Sequence, residues 1–504
     1  MNKANYFASK TILIITLILS CIALYFSYTN NYILTYNDAA SHLNIARRVI
    51  DNLTPGIAQI GTVWLPLPHL LMIPFAINDD LWHTGFAGSI VSMAAFIVSV
   101  YFTYKTVFTI TKSVVGGVIG AAIMALNPNF LYIQTTPMTE PLLIAMFCAA
   151  VYFLTRYVEH WQVQQLLISS VFVAAATLIR YDGWFLFMFL SALLPVWIWK
   201  WRGRHEAESS LILFLFMGGF GIGMWVLWNW MIFGDPMYFI TGPFSAYAQQ
   251  RVLKSVGQLP TEGDIYIASL YFFWSMVDNN GMILLLSAAI GILVVPFLLK
   301  QRRYLIALMA AFSPIIFNTI ALYVGQSAMN VPQAPSNPGM FNVRYGMMAL
   351  PFISLLLGII AANKYLRYLV IVLLLGQSYL FMTSGLPIVL ADGLYGKQQT
   401  LYTVEASKWF RENYQGGLIL TSLASHDAFV ARTQIPMKNY IHEGTRKYWE
   451  ESTVEPPEYV EYIATLTFPP DSVYRAIHQH PTFKDKYKLI YNYEKFGIYQ
   501  RIRR

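Results

Sequence analysis

Charge is what this chain has least of for its size. Asp, Glu, Lys and Arg make up only 12% of its 504 residues, against 56% hydrophobic ones, and the mean hydropathy is +0.47. A soluble domain of this length could not cover its surface with so few charges, so most of the chain is expected to dissolve in lipid. Cysteine is scarcer still. The two present, Cys21 and Cys148, lie inside apolar runs, which argues against a disulfide framework and a cysteine metal cluster. Internal repeats and low-complexity segments are absent too. The formal charge of +8 and pI of 9.1 have no basic, aromatic-interleaved surface to go with them, so no nucleic-acid partner is expected.

What is there is a series of long uncharged stretches. A bilayer crossing needs about 17 to 25 mostly apolar residues, and such stretches fall near 11–29, 84–104, 113–134, 138–155, 163–179, 183–199, 209–233, 281–299, 304–324, 346–362 and 368–390. This predicts an α-helical polytopic membrane protein with about eleven transmembrane helices. Every second connection is basic: Lys105 with Lys112, Arg156, Lys200 with Arg202 and Arg204, Lys300 with Arg302 and Arg303, and Lys364 with Arg367. Placing these in the cytoplasm with Lys3 and Lys10 predicts an N-terminus inside and the chain after residue 390 outside. The first span lacks a small-residue cleavage site and is read as a retained anchor of a cytoplasmic-membrane protein. Gly218-Gly219 and Pro314, inside spans, are assigned to helix packing.

The long connections, 30–83, 234–280 and 325–345, share the outer face with the tail, so residues 1–390 are expected to form the membrane domain and 391–504 a separate extracytoplasmic one. Half of all Asp and Glu residues lie in that tail. Its short apolar runs, Gly417 to Thr421 and Tyr487 to Tyr493, alternate with amphipathic stretches such as Thr403 to Asn413, a pattern of α/β layers.

Chemistry is expected on the outer loops. The first begins Tyr36-Asn37-Asp38-Ala39-Ala40-Ser41-His42, and the spacing of Leu43, Ala46 and Ile50 predicts an amphipathic helix lying on the membrane, with Asp38 and His42 one turn apart. Asp38 suits a general base or, with His42, a cation ligand; it equally suits a helix N-cap. Farther along, Trp64-Leu65-Pro66-Leu67-Pro68-His69 presents His69 either as an inward polar group or as interfacial packing. In Met138-Thr139-Glu140-Pro141, Glu140 opens an apolar helix, where an ionisable group marks a site unless it only complements the helix dipole with Thr139 as cap. Arg180 and Asp182, in the turn Arg180-Tyr181-Asp182-Gly183-Trp184, are placed to pair with each other. Arg344, in Asn337-Pro338-Gly339-Met340-Phe341-Asn342-Val343-Arg344-Tyr345, could grip a phosphate with its planar fork or serve as an interfacial anchor.

Taken in order over residues 10–360, these motifs resemble the bacterial C-class (GT-C) membrane glycosyltransferases, the superfamily of protein O-mannosyltransferases and the lipid A aminoarabinose transferase. The resemblance implies a GT-C-like fold and an inverting transfer of a sugar from a polyprenyl-phosphate donor to a glycan, lipid or protein acceptor at the outer membrane face. It implies Asp38 as base and Glu140 as the second acid of the cavity. Arg344, Arg180, Arg48 and Tyr345 are then the donor-phosphate candidates, and His42, His69 and Asp182 the metal or acceptor candidates. In the mannosyltransferases the first-loop acid is often one of an adjacent pair; here Asn37 and Ala39 flank it, which leaves a divalent metal cofactor open. Such a transfer requires a base, charge stabilisation of the departing phosphate and a cleft. It does not require a second carboxylic acid, because the leaving group is already an anion. Two rivals stand beside it: a transporter or lipid flippase, which predicts inverted repeats and broken helices with midplane acids, and a non-catalytic scaffold of the same fold.

Overall fold

The structure, a computed structural model, describes residues 3–243, 245–334, 339–468, 471–478, 480 and 483–502. Asn337 and Pro338 of the late loop motif therefore lie outside the described residues. The chain divides into two compact units, one of Met1–Tyr32, Thr62–Pro68 and Ser89–Asp392, the other of Ile33–Gly61, His69–Gly88 and Gly393–Arg504. The first external loop thus joins the tail in one unit and does not belong wholly with the spans.

Among the described residues, eight helices are long and apolar enough to cross a membrane: Lys3–Thr29, Phe86–Thr111, Glu140–His160, Tyr181–Arg202, Arg204–Phe233, Arg302–Tyr323, Val343–Ala361 and Leu366–Gln399. A ninth is the pair Ile265–Asn280 and Met282–Leu298, bent by 113°. The other two of the eleven expected stretches form shorter apolar helices, for local reasons. The stretch 113–134 breaks at Asn127-Pro128: proline offers no N–H, and the Asn127 side chain accepts from Asn129 N and Phe130 N, capping a new short helix, Pro128–Ile133. What precedes it, Val114–Ala125, has 12 residues, about 18 Å of helix against a hydrocarbon core of about 30 Å. The stretch 163–179 yields only Val163–Thr177, 15 residues.

Val114–Ala125 nonetheless packs deeply. A Cβ on Gly116 would stand 2.7 Å from the Gly358 carbonyl oxygen, and one on Gly120 would stand 2.9 Å from that of Ser354. Small residues thus let this helix lie directly on Leu350–Ala361. The span Val343–Ala361 is almost wholly enclosed by protein, whereas Lys3–Thr29 leaves most of its length to the surroundings.

In the second unit, β1 (Leu418–Leu420), β2 (Tyr440–Ile441), β3 (Val460–Leu466), β4 (Tyr487–Tyr493) and β5 (Phe496–Arg501) form one mixed sheet in the order β2-β1-β3-β5-β4. β1 runs parallel to β2 and β3, and β5 pairs antiparallel with β3 and β4. The tail is the α/β layer its alternation predicts, with the amphipathic stretch forming helix Leu401–Asn413. Leu420, Ile441, Val460, Ile463, Val473 and Ile477 make its core, and Leu53 of the first loop packs on them. The loop helix Asn37–Arg48 sets Ala40 against Ala428 and Ala431. Asp51 then accepts from the backbone N–H of Met437 (3.1 Å) and Lys438 (3.2 Å).

Candidate functional site

In the first unit, five of the singled-out residues meet. Helix Glu140–His160 begins at the acid itself, with Pro141 beside it; Thr139 has helical backbone angles and makes no side-chain cap bond. The dipole-and-cap alternative for this segment therefore lacks its cap. Glu140 is fully buried, and its Oε1 accepts from Arg344 Nε at 2.9 Å and from Arg180 Nη1 at 3.1 Å. Its Oε2, also buried, has no hydrogen-bond partner among the described residues.

Arg180 sits in extended backbone just before helix Tyr181–Arg202. The turn is tight because Gly183 lies on the preceding helix: a Cβ there would be 2.2 Å from the Ala176 carbonyl oxygen. Trp184 Nε1 ties the turn down by donating to Thr177 O at 2.9 Å. Arg180 does pair with Asp182, Nε to Oδ2 at 3.3 Å, but Asp182 is buried and its Oδ1 also accepts from Asn318 at 3.3 Å.

Arg344 opens a short 3-10 turn, Val343–Ala349, entered through Asn342 in the left-handed region at φ 56°. It is buried, which excludes the snorkelling anchor, whose charged end must reach water. The Tyr345 ring receives both cations, with Arg180 Cζ 4.7 Å and Arg344 Cζ 5.2 Å from its centroid. Two guanidiniums are thus drawn together by one carboxylate oxygen and one aromatic ring. The Arg180 side chain, 19% exposed against 5% for Arg344 and 0% for Glu140, is the member most open to a ligand.

In the second unit the first-loop residues are arranged differently. Asp38 lies in the first turn of helix Asn37–Arg48, but the N-cap position is Tyr36 and no side chain caps it. The capping alternative for Asp38 is thereby corrected: the helix starts one residue too early for it. The expectation of a helix lying on the membrane is corrected as well, because every residue from Ala39 to Arg47 is buried. His42 stands one turn beyond Asp38, and its Nδ1 is 2.9 Å from His69 Nε2. One of these nitrogens donates and the other accepts, so this pair of lone-pair sites is turned on itself. Among the described residues no three His, Cys, Asp or Glu side chains are grouped to hold a metal ion. Arg48, half-buried, donates from Nε to the Gln59 carbonyl.

Several polar residues escaped the sequence reading because most of their partners are remote in sequence. Arg47 pairs with Asp51 at 2.9 Å and Asp79 at 2.5 Å and lies over Trp82. Asn44 donates to Asp427 Oδ1 at 3.0 Å and accepts from Trp82 Nε1 at 3.3 Å. Burial pushes the Asp427 carboxyl up to about 6, against the opposing pull of Asn44 and Arg48. Burial, with Arg48 nearby, holds His442 well below the usual imidazole value. His426 is hydrogen-bonded to the buried Asp471, and nothing in the linear sequence joins them.

Comparison with known proteins bears on both units. No curated protein sequence matches the chain significantly. Residues 68–228 match the family model described as dolichyl-phosphate-mannose-protein mannosyltransferase. The crystal structure of ArnT from Cupriavidus metallidurans bound to undecaprenyl phosphate matches with a TM-score of 0.58 at 10% identity, covering 97% of this chain and 98% of that one. ArnT in the apo state matches at 0.53 and 10% identity, over 98% and 97% of the two chains. The apo oligosaccharyltransferase of Archaeoglobus fulgidus matches at 0.50 and 14% identity, over 91% of this chain and 69% of that one. The chain is a polytopic membrane protein with the fold of the C-class membrane glycosyltransferases, carrying a small C-terminal sheet domain.

Proposed function

We propose that the protein is a membrane glycosyltransferase that moves a sugar, with inversion, from a polyprenyl-phosphate donor to an acceptor at the outer face of the cytoplasmic membrane. The observation that carries this reading is the convergence of Arg180 and Arg344 on Glu140 and Tyr345 at the starts of three helices. Glu140 and Asp182 take up only part of the donor set of the two guanidiniums, and Arg180, 19% exposed, keeps N–H groups that a phosphate could meet. The fold it shares with ArnT, whose structure was determined with undecaprenyl phosphate, supports the choice of a lipid phosphate.

In this reading Arg180 presents its fork to the donor phosphate and Arg344 supplies the second charge, stabilising the anion that leaves. Glu140 sets the angle of both. Asp38 takes the proton from the acceptor hydroxyl as that oxygen attacks the sugar carbon and the bond to the phosphate oxygen breaks. The His42–His69 pair steadies the turn that carries Asp38, and Arg48 stabilises the same loop through Gln59. A divalent metal, if one takes part, would have Asp38 for a ligand.

The bent helix pair at residues 280–282 is a feature that favours the transporter. The break is closed by protein groups, however: Gln377 Oε1 accepts from Ile283 N at 3.1 Å, and Asn280 Nδ2 donates to Gly346 O at 2.9 Å. The test is a comparison of cell-envelope glycans and lipid-linked sugars in a deletion strain and its complemented parent. Accumulation of a polyprenyl-phosphate sugar with loss of one envelope glycan is expected; unchanged lipid-linked sugars would overturn the reading. The basic connections support an N-terminus inside and residues 391–504 outside. A reporter fused after residue 395 should be active only in an exported form, and cytoplasmic activity would reverse that topology.

A further inference from the structure

The segment that carries Arg344 is held by hydrogen bonds that the proposed reaction does not itself use. Val343 O accepts from Ser275 Oγ at 2.8 Å and from Asn279 Nδ2 at 2.6 Å, and Asn280 Nδ2 donates to Gly346 O. On its other side Val343 N donates to Asp392 Oδ2 at 3.2 Å. The approach is close enough that a Cβ on Gly346 would stand 2.2 Å from the Ser275 carbonyl oxygen. Asn279 is itself anchored, because its backbone carbonyl accepts from Asn127 Nδ2 at 2.8 Å and Asn129 Nδ2 at 3.1 Å.

The orientation of the Asn279 amide is dictated by its surroundings. Its nitrogen faces two carbonyl oxygens, Ser275 O at 2.8 Å and Val343 O at 2.6 Å, where an amide oxygen would be repelled. Asn279 is fully buried, one residue from the end of helix Ile265–Asn280, and the chain turns immediately beyond it at Gly281, φ 82°. Three polar side chains of this helix, Ser275, Asn279 and Asn280, thus reach the backbone on either side of Arg344.

We infer that Asn279 is a positioning residue for Arg344: it holds the Val343 carbonyl so that the Arg344 guanidinium meets the donor phosphate at the right angle. This rests on the reading of Arg344 as a donor-phosphate ligand. A planar fork tolerates little rotation, and one backbone carbonyl away from its Cα is the shortest lever by which a neighbour can turn it. The buried Asn127, Asn129 and Asn279 then form a continuous support that ends at the Val343 carbonyl, one residue before Arg344.

The experiment is a double-mutant cycle on the purified full chain, reading its affinity for undecaprenyl phosphate in detergent, with melting temperature recorded beside it. Asn279→Ala is expected to weaken binding about tenfold, the size of coupling found between groups in one hydrogen-bond network. In an Arg344→Lys background the same change should alter binding less than twofold, while its effect on melting temperature should be equal in both backgrounds. Ser275→Ala removes the second donor to Val343 O and should show the same dependence with a smaller loss; it replaces Asn279→Ala in the cycle if that variant does not fold. Losses that multiply, or an Asn279→Ala protein that binds as the parent does, would overturn the inference while leaving the Arg344 reading intact. An Arg344→Lys protein that binds as tightly as the parent would overturn the reading itself, and the inference with it.

Discussion

The buried acids Glu140 in the first unit and Asp427 in the second are satisfied in opposite ways. In the first, Glu140 is met by two guanidiniums and Asp182 by a guanidinium and an amide, so the four charges of Glu140, Asp182, Arg180 and Arg344 sum to zero. In the second, Asp427 is met chiefly by the Asn44 amide, with Arg48 contributing through space, and His42 is met by another imidazole. Charge met by charge gives fixed geometry that fails badly when one partner is lost. Charge met by neutral dipoles gives a carboxyl whose protonation follows the pH near neutrality. The first unit is therefore expected to answer mutation, and the second to answer both mutation and pH.

The comparison is tested hardest at Asp38, which sits in the second unit yet is assigned a chemical role. Asp38→Asn should lower sugar transfer by about 10²- to 10⁴-fold, the contribution of a general base. Its melting temperature should stay close to that of the parent, since Asn matches Asp in shape and helix Asn37–Arg48 is not capped by Asp38. Transfer at the parental rate would remove Asp38 from the chemistry and send the search for a base to Glu140 or His42.

A second expected effect lies in the first unit. Glu140→Gln leaves two guanidiniums sharing a neutral acceptor in a buried setting, and should destabilise the chain by about 3 kcal/mol, the low end for a broken buried pair, because Arg180 keeps some access to solvent. Thermal unfolding in detergent measures it. A variant as stable as the parent would show that the cluster gains its compensation elsewhere, and the contrast between the units would lose its basis.

The smallest effect is the pH dependence of the second unit. The Asp427 carboxyl is raised from its ordinary 3.8 to about 6, so the folded state binds its proton more tightly than the unfolded chain does. The stability this group contributes is present at low pH and is lost as pH rises from about 4 through 6. Asp427→Asn keeps an acceptor for Asn44 and cannot ionise. Its melting temperature relative to the parent should therefore rise between pH 4.5 and 7, and a constant difference across that range would place the carboxyl in a more hydrated setting.

Much of this arrangement is legible in the linear chain. Runs of uncharged residues determine that it is a membrane protein, because no other solvent accepts them. The short apolar run from Tyr487 to Tyr493 is the strand β4, and the amphipathic stretch from Thr403 to Asn413 falls within a helix. Glu140, Arg180, Asp182, Arg344 and Tyr345 each stand out locally as polar groups at the edges of apolar segments, and they do meet. The sequence could not say that one oxygen of Glu140 serves both arginines.

Tertiary structure alone decided the rest. The count of long spans depended on where Asn127-Pro128 and Gly281 interrupt otherwise apolar runs, and hydropathy averages such breaks away. The first loop joined the tail because Asp51, Asn44 and Ala40 find partners nearly four hundred residues later, at Met437, Asp427 and Ala428. Asn279 carries no signal of its own, since an asparagine near a helix end reads as a fraying terminus. Composition and periodicity record which solvent each segment prefers, a property every residue holds locally. Which buried donor meets which buried acceptor is set by the path of the whole chain, and so it appears only once the chain is folded.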